Sequence, residues 1–159
     1  MEWVDKILQH PNYIKYLELN ADAEKERAFC HHDLQHALDV ARVAYILSLE
    51  NGYNLRKELI YAAALLHDVA KWKQYKEKVD HAVEGAILAQ EILKDIGMEE
   101  QDSSLILDAI RSHRIKGKKA SRLGEVLYLG DKSCRICVQC DMIKECNRFN
   151  GEKQPVLEY

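Results

Sequence analysis

Four side chains in this sequence stand where an apolar residue would be expected. His67 and Asp68 directly follow the run Tyr61-Ala62-Ala63-Ala64-Leu65-Leu66. A carboxylate carried into an apolar interior without a partner is costly, so something positive must meet it. A divalent cation would satisfy both side chains. The competing reading is a buried His–Asp hydrogen bond with no metal. His36 lies on the apolar stripe of Val40, Val43, Ala44 and Leu47, and Asp131 ends the run Val126-Leu127-Tyr128-Leu129-Gly130. One histidine on such a stripe is commonly a core residue. Polar interruptions of separate helical faces, all made by His and Asp, point instead to one site assembled from several helices. Mixed imidazole and carboxylate donors suit iron, manganese, cobalt or zinc. Such an ion lowers the pKa of its bound water from about 16 to ~7 and supplies hydroxide at neutral pH. Lys71, at i+4 from His67, can face the same pocket.

The elements that position these residues read as helices throughout. Prolines number two and glycines seven, and apolar residues recur at helical intervals. A first helix over Trp3 to Gln9 stops at His10-Pro11. A second is capped by Asn12 and carries Tyr13, Tyr16, Leu17 and Phe29. Asp33 caps a helix that bears His36 and runs to about Glu50, where Asn51-Gly52 ends it. Leu55 to about Tyr75 reads as one helix, apolar all round at its centre and therefore buried. His81 to Ile96 follows, closed by Gly97. Asp102 or Ser103 caps a helix reaching His113. The basic stretch from Arg114 to Ala120 reads as a loop, and Leu123 to about Phe149 as mostly helix. The tail after Asn150 frays.

The order His36, His67-Asp68, Asp131 resembles the HD superfamily of metal-dependent phosphohydrolases. "HALDVARVA" resembles the first-histidine helix of that family, "LLHDVAK" its HD segment with a trailing lysine, and "LYLGDKSCR" the segment with the last aspartate. The resemblance covers roughly residues 32 to 136. It implies an all-α, single-domain helical bundle around a metal held by His36, His67, Asp68 and Asp131, with Asp68 and Lys71 as catalytic residues. His81 in "DHAVEGA" and His113 in "AIRSHR" resemble the histidines that complete a two-metal centre in a subset of the superfamily, with Asp68 bridging. The competing reading leaves both at helix ends, exposed and idle. The match is most similar to the bacterial branch that hydrolyses dinucleoside polyphosphates such as diadenosine tetraphosphate. Arg114 departs from the threonine of that branch, which puts the particular substrate in question. Lys71, Arg114 and Arg135 are the substrate-binding candidates, with Lys116, Lys118 and Lys119 as further phosphate clamps. The expected partner is a small phosphorylated substrate, a nucleotide by the resemblance. A homodimer is compatible with this reading. Two rival functions remain: a di-iron oxygenase of the same superfamily, and a non-catalytic module that senses a nucleotide. His32-Asp33 is a second His-Asp pair, explained by Asp33 as a helix cap, and His10 and His31 receive no role.

Cys134-x2-Cys137-x2-Cys140-x5-Cys146 has the spacing of a thiolate site for zinc or an iron–sulfur cluster. The alternative is reduced thiols. The odd count of five cysteines, with no apparent export signal, argues against a disulfide framework. A cytoplasmic protein is expected. The formal charge of −3 gives no basic field for nucleic acid, and no apolar run reaches the ~18 residues of a membrane span. The 159 residues divide by this reading into N-terminal helices (1–31), the HD-type core (32–138) and a cysteine-containing extension (139–159).

Overall fold

The computed structural model describes residues 1–115, 121–149 and 154–159. Lys116, Lys118 and Lys119, expected as phosphate clamps, lie outside the described residues. Among the described residues the secondary structure is eight α-helices and one 3-10 turn, with no strand: α1 Glu2–Gln9, α2 Pro11–Glu24, α3 Leu34–Glu50, α4 Lys57–Leu66, α5 Lys71–Glu77, α6 His81–Asp95, α7 Glu100–Ser112 and α8 Arg122–Ser133. No helix of the described residues is long and apolar enough to cross a membrane.

The all-round apolar segment becomes α4, the central helix. Leu59, Ile60 and Ala62 through Leu66 are all buried. It packs against α1, α3, α7 and α8, and the short side chains Ala62, Ala63 and Ala64 let those neighbours approach closely. Helix α3 buries the expected stripe of His36, Val40, Val43, Ala44 and Leu47. It lies between α4 and α8, its two most extensive partners. The α3–α8 contact depends on Gly130. A Cβ there would meet the Val40 carbonyl oxygen at 2.9 Å and the Ala44 nitrogen at 3.1 Å. The missing side chain lets the two backbones touch, which sets Asp131 beside His36.

Several expected boundaries differ, each for a physical reason. Helix α2 is capped by His10, whose Nδ1 accepts from the Asn12 N–H at 3.2 Å, while Pro11 takes the first helical position, where its missing N–H costs nothing. Phe29 falls beyond the end of α2. Asp102 is not a cap. It lies inside α7, buried, paired with Arg56 through contacts of 3.2 and 2.7 Å. The expected single helix from Leu55 to Tyr75 is two helices, α4 and α5, broken by a turn over residues 67–70. Helix α8 ends at Ser133. The chain beyond it forms successive turns and the 3-10 segment Cys137–Gln139 rather than helix to Phe149.

Candidate metal centre

The turn after α4 is what lets adjacent residues serve one site. On a continuous helix, His67 and Asp68 would point ~100° apart. Here α4 stops at Leu66, and the backbone groups released by the turn are taken up by Asn20 from α2. The Asn20 Nδ2 donates to the Asp68 carbonyl at 2.9 Å, and its Oδ1 accepts from the Trp72 N–H at 2.8 Å. Asn20 is 1% exposed. It therefore spans the turn with both ends of its amide.

Asp68 sits at the centre and presents one oxygen to each of two ligand groups. Its Oδ2 lies 3.0 Å from His67 Nε2 and 3.8 Å from His36 Nε2, and its Oδ1 lies 3.1 Å from His81 Nε2. Asp131 Oδ1 is 3.2 Å from His36 Nε2. The ligand atoms of His36, His67, Asp68 and Asp131 all fall within 4.8 Å of one another, and so do those of Asp68, His81 and His113. All six sequence-derived candidates are thus brought together. His81 and His113 are buried, not exposed at their helix ends.

Second contacts fix the rings. The His67 Nδ1–H donates to the Ala64 carbonyl at 2.7 Å, and the His113 Nδ1–H donates to the Ile110 carbonyl at 2.6 Å. Each ring therefore turns its Nε2 inward, the arrangement that metal-ligating histidines use. Burial pushes His113 down to about 4, and burial also lowers His36 and His81, so these imidazoles are neutral at pH 7. Burial alone would raise Asp68 and Asp131, but adjoining imidazoles outweigh it and hold both carboxyls well below the usual range. Burial likewise opposes a charge on His67, yet Asp68 outweighs it and draws a proton toward the ring. A divalent ion would supply the same positive charge in place of that proton.

The donor set fits a metal on two observations. His67 Nε2 and Asp68 Oδ1 are fully buried, and although they lie 3.0 Å from Asp68 Oδ2 and 3.1 Å from His81 Nε2, neither makes an aligned hydrogen bond, which interiors rarely tolerate. His36 Nε2 also faces Arg135 Nη2 at 3.1 Å, while Asp131 lies on another side at 3.2 Å. That nitrogen cannot accept from the first and donate to the second at once. A cation bound to it would keep Asp131 and displace the guanidinium.

Asp68, His81, His113 and Asp131 line a cavity of about 470 Å³, and His36 and His67 lie behind its wall. Lys71 reaches it, because the turn returns the chain into α5 on the same side. Burial lowers its pKa while Asp68 and Asp131 pull it back up. Arg114 lines the cavity with one nitrogen 3.3 Å from Asp80, and Arg135 borders it while also donating to the His31 carbonyl at 3.2 Å. Arg27, Lys132 and Arg148 complete a cationic rim.

Sequence reasoning missed two residues. Asp33 does cap α3, accepting from the His36 N–H at 2.8 Å, but His32 before it also faces the site. Its Nε2 lies 3.9 Å from Asp68, and its Nδ1 meets Glu24, which also accepts from the Tyr75 hydroxyl at 2.8 Å. Burial opposes the Glu24 charge, but His32 outweighs it and holds that carboxyl down at about 2. The signal was present in the sequence. The buried face of α2 is Tyr13, Tyr16, Asn20 and Glu24, a stripe whose last two members are polar.

An all-helical bundle with two histidine–aspartate groups sharing one carboxylate defines a class of candidate metalloprotein. The chain belongs to the HD domain family, whose pattern matches residues 33–142. An uncharacterized protein from Clostridium beijerinckii is 38% identical over 159 residues, spanning all of both chains. Ribonuclease Y from Geotalea uraniireducens is 30% identical over 124 residues, 77% of this chain but only 21% of that protein. The bifunctional uridylyltransferase/uridylyl-removing enzyme of Legionella pneumophila (strain Corby) is 37% identical over 67 residues, 42% of this chain and 7% of that enzyme. Among solved structures, a predicted HD superfamily hydrolase from an uncultured Thermotogales bacterium matches with a TM-score of 0.57 and 27% identity, over 75% of this chain and 66% of that one.

Proposed function

We propose that this protein is a metal-dependent phosphohydrolase that cleaves a phosphate ester or anhydride of a nucleotide, with dinucleoside polyphosphates among the candidate substrates. His36, His67, Asp68 and Asp131 would hold one divalent ion, and Asp68, His81 and His113 a second. Bound there, the metal supplies Lewis-acid stabilisation of phosphoryl oxygens and an activated water. The observation that carries the reading is the pairing of orphaned ligand atoms with a cationic rim. Asp68 lies on the floor of the cavity with His67 Nε2 buried behind it, and six Lys and Arg side chains line the walls above, in a chain whose formal charge is −3.

Each residue then has a task. Lys71 neutralises charge on the phosphoryl oxygens next to Asp68. Arg114 and Lys132 hold further phosphate oxygens. Arg135 moves from His36 to the substrate when the ion binds. His32, backed by Glu24, points its Nε2 at the same space and orients the phosphate or water beside Asp68. The family membership and the likeness to a solved predicted HD superfamily hydrolase support hydrolysis over the oxygenase and sensor alternatives. The test is turnover of the metal-reconstituted protein on phosphomonoesters, cyclic phosphodiesters and dinucleoside polyphosphates, with oxygen uptake monitored in parallel. Phosphate or nucleotide release without oxygen uptake is expected. Oxygen-dependent turnover, or no turnover on any phosphorylated compound, would overturn the proposal.

A further inference from the structure

The chain after α8 has no core of its own. None of residues 134–149 is buried, and Ile136 and Val138 are 67% and 47% exposed. What organises the segment is a succession of three-residue turns. The Cys140 N–H donates to the Cys137 carbonyl (3.2 Å), the Ile143 N–H to Cys140 (3.3 Å), the Cys146 N–H to Ile143 (3.4 Å) and the Phe149 N–H to Cys146 (3.0 Å). Each of these four turns begins or ends on a cysteine, while a fifth, from the Gln139 N–H to the Ile136 carbonyl at 3.3 Å, does not. A piece of chain this small and this exposed is ordinarily held by a staple, and a thiolate-bound metal is one such staple.

The fold adds a thiol that spacing could not reveal. Cys30, in the loop between α2 and α3, shares the wall of the 470 Å³ cavity with Cys137 and Cys146. It shares a neighbouring cavity of about 290 Å³ with Cys137 and Cys140. Cys137 thus stands between the two cavities, with Cys30 on both. Burial pushes the Cys137 thiol up, Arg148 draws it down, and Cys30, Cys140 and Cys146 are near enough to push it up again. Arg148 Nη1 lies 3.9 Å from the Cys137 sulfur, the kind of cationic neighbour that favours a thiolate.

Cys134 belongs elsewhere, although it also borders the smaller cavity. It caps α8 and packs against the hydrophobic core. Its sulfur lies 3.7 Å from His36 Nδ1 and 3.8 Å from the Asp131 carbonyl.

We propose that Cys30, Cys137, Cys140 and Cys146 form a thiolate site for a soft metal centre, a zinc ion or an iron–sulfur cluster, and that Cys134 is not one of its ligands. Among the described residues no three thiols close to within 4.8 Å of one another as the His/Asp groups do. Cys30 and Cys137 line both cavities, with Cys146 on the larger and Cys140 on the smaller, so a cluster would bridge the two or a single ion would draw the turns inward. Either centre would fasten the C-terminal turns to the α2–α3 loop and hold Arg148 at the rim of the main cavity. The proposal does not depend on the reaction assigned to the His/Asp site.

The test uses full-length protein purified anaerobically with reductant, compared with Cys30→Ser and Cys134→Ser. Metal and acid-labile sulfide analysis separates the two forms: zinc without sulfide is the single ion, and iron with sulfide the cluster. For the zinc form, cobalt substitution gives thiolate-to-metal charge-transfer absorption that imidazole and carboxylate ligands do not produce. The thiolate-bound centre is expected in wild type and in Cys134→Ser, lost in Cys30→Ser, and retained in His67→Ala. Alkylation of native protein guards against misfolding of a variant: Cys30, Cys137, Cys140 and Cys146 should gain reactivity on metal removal while Cys134 does not change. Loss of the centre in Cys134→Ser with retention in Cys30→Ser would overturn the ligand set. Wild type with neither charge-transfer absorption nor labile sulfide would overturn the site altogether.

Discussion

Replacing Asn20 by alanine removes both hydrogen bonds that span the turn carrying His67 and Asp68. The Asp68 carbonyl and the Trp72 N–H lose partners at 2.9 and 2.8 Å, and the residue they lose is 1% exposed. Stranding a buried backbone group costs ~1–3 kcal/mol, so two such groups cost about 3 kcal/mol even if water reaches one of them. For a chain of this size each kcal/mol moves the melting temperature by roughly 2–4 °C, which gives a fall of about 6–12 °C. The turn also positions Asp68, so metal affinity should drop by ~10–100-fold, the usual effect of losing a contact that supports a ligand. Asn20→Leu separates the causes. It fills the space but restores neither hydrogen bond, and it should behave like the alanine variant. The assay is thermal unfolding with manganese titration of all three proteins. A melting temperature within ~2 °C of wild type with unchanged affinity in Asn20→Ala would refute the reasoning, as would full rescue of both by leucine.

Gly130→Ala places a Cβ at 2.9 Å from the Val40 carbonyl oxygen. It should destabilise by ~1–3 kcal/mol and weaken metal binding by shifting Asp131 from His36, as read by chemical denaturation and titration. Arg135→Met removes the guanidinium from His36 Nε2 and should tighten metal binding by about tenfold while lowering turnover; weaker metal binding would show that Arg135 does not compete. Glu24 has its folded-state pKa lowered from 4.5 to about 2, worth ~3 kcal/mol. Because the folded value is the depressed one, that stability is complete above pH ~4.5 and disappears as pH falls toward 2. The stability gap between wild type and Glu24→Gln should therefore be widest at neutral pH and shrink in acid; a gap unchanged between pH 7 and 3 contradicts this.

How much of the site was legible depends on whether its signal was local. His36 and Asp131 were visible because each interrupts an apolar face of its own helix, and that pattern survives any tertiary arrangement. The break after Leu66 was not visible. Leu65 through Lys71 carries no proline or glycine, and the group that stabilises the turn is Asn20, 48 residues earlier than Asp68. Asp102 misled for a similar reason: a residue with cap chemistry was taken instead by Arg56 from another part of the chain. The cysteines show the same limit. Their spacing favoured Cys134, but helix α8 turns that thiol toward His36, and a distant loop brings in Cys30. The all-α fold was readable because helical periodicity is repeated in every segment, so one misplaced boundary does not change it.

In the proposed enzyme a cation draws His36, His67, Asp68 and Asp131 together. Anomalous diffraction from crystals of the full chain soaked in manganese tests this most directly. The account predicts a peak enclosed by those four side chains, absent in Asp68→Ala, with Arg135 moved away from His36. Manganese bound only elsewhere, or a guanidinium still seated on His36 at saturating metal, would contradict it.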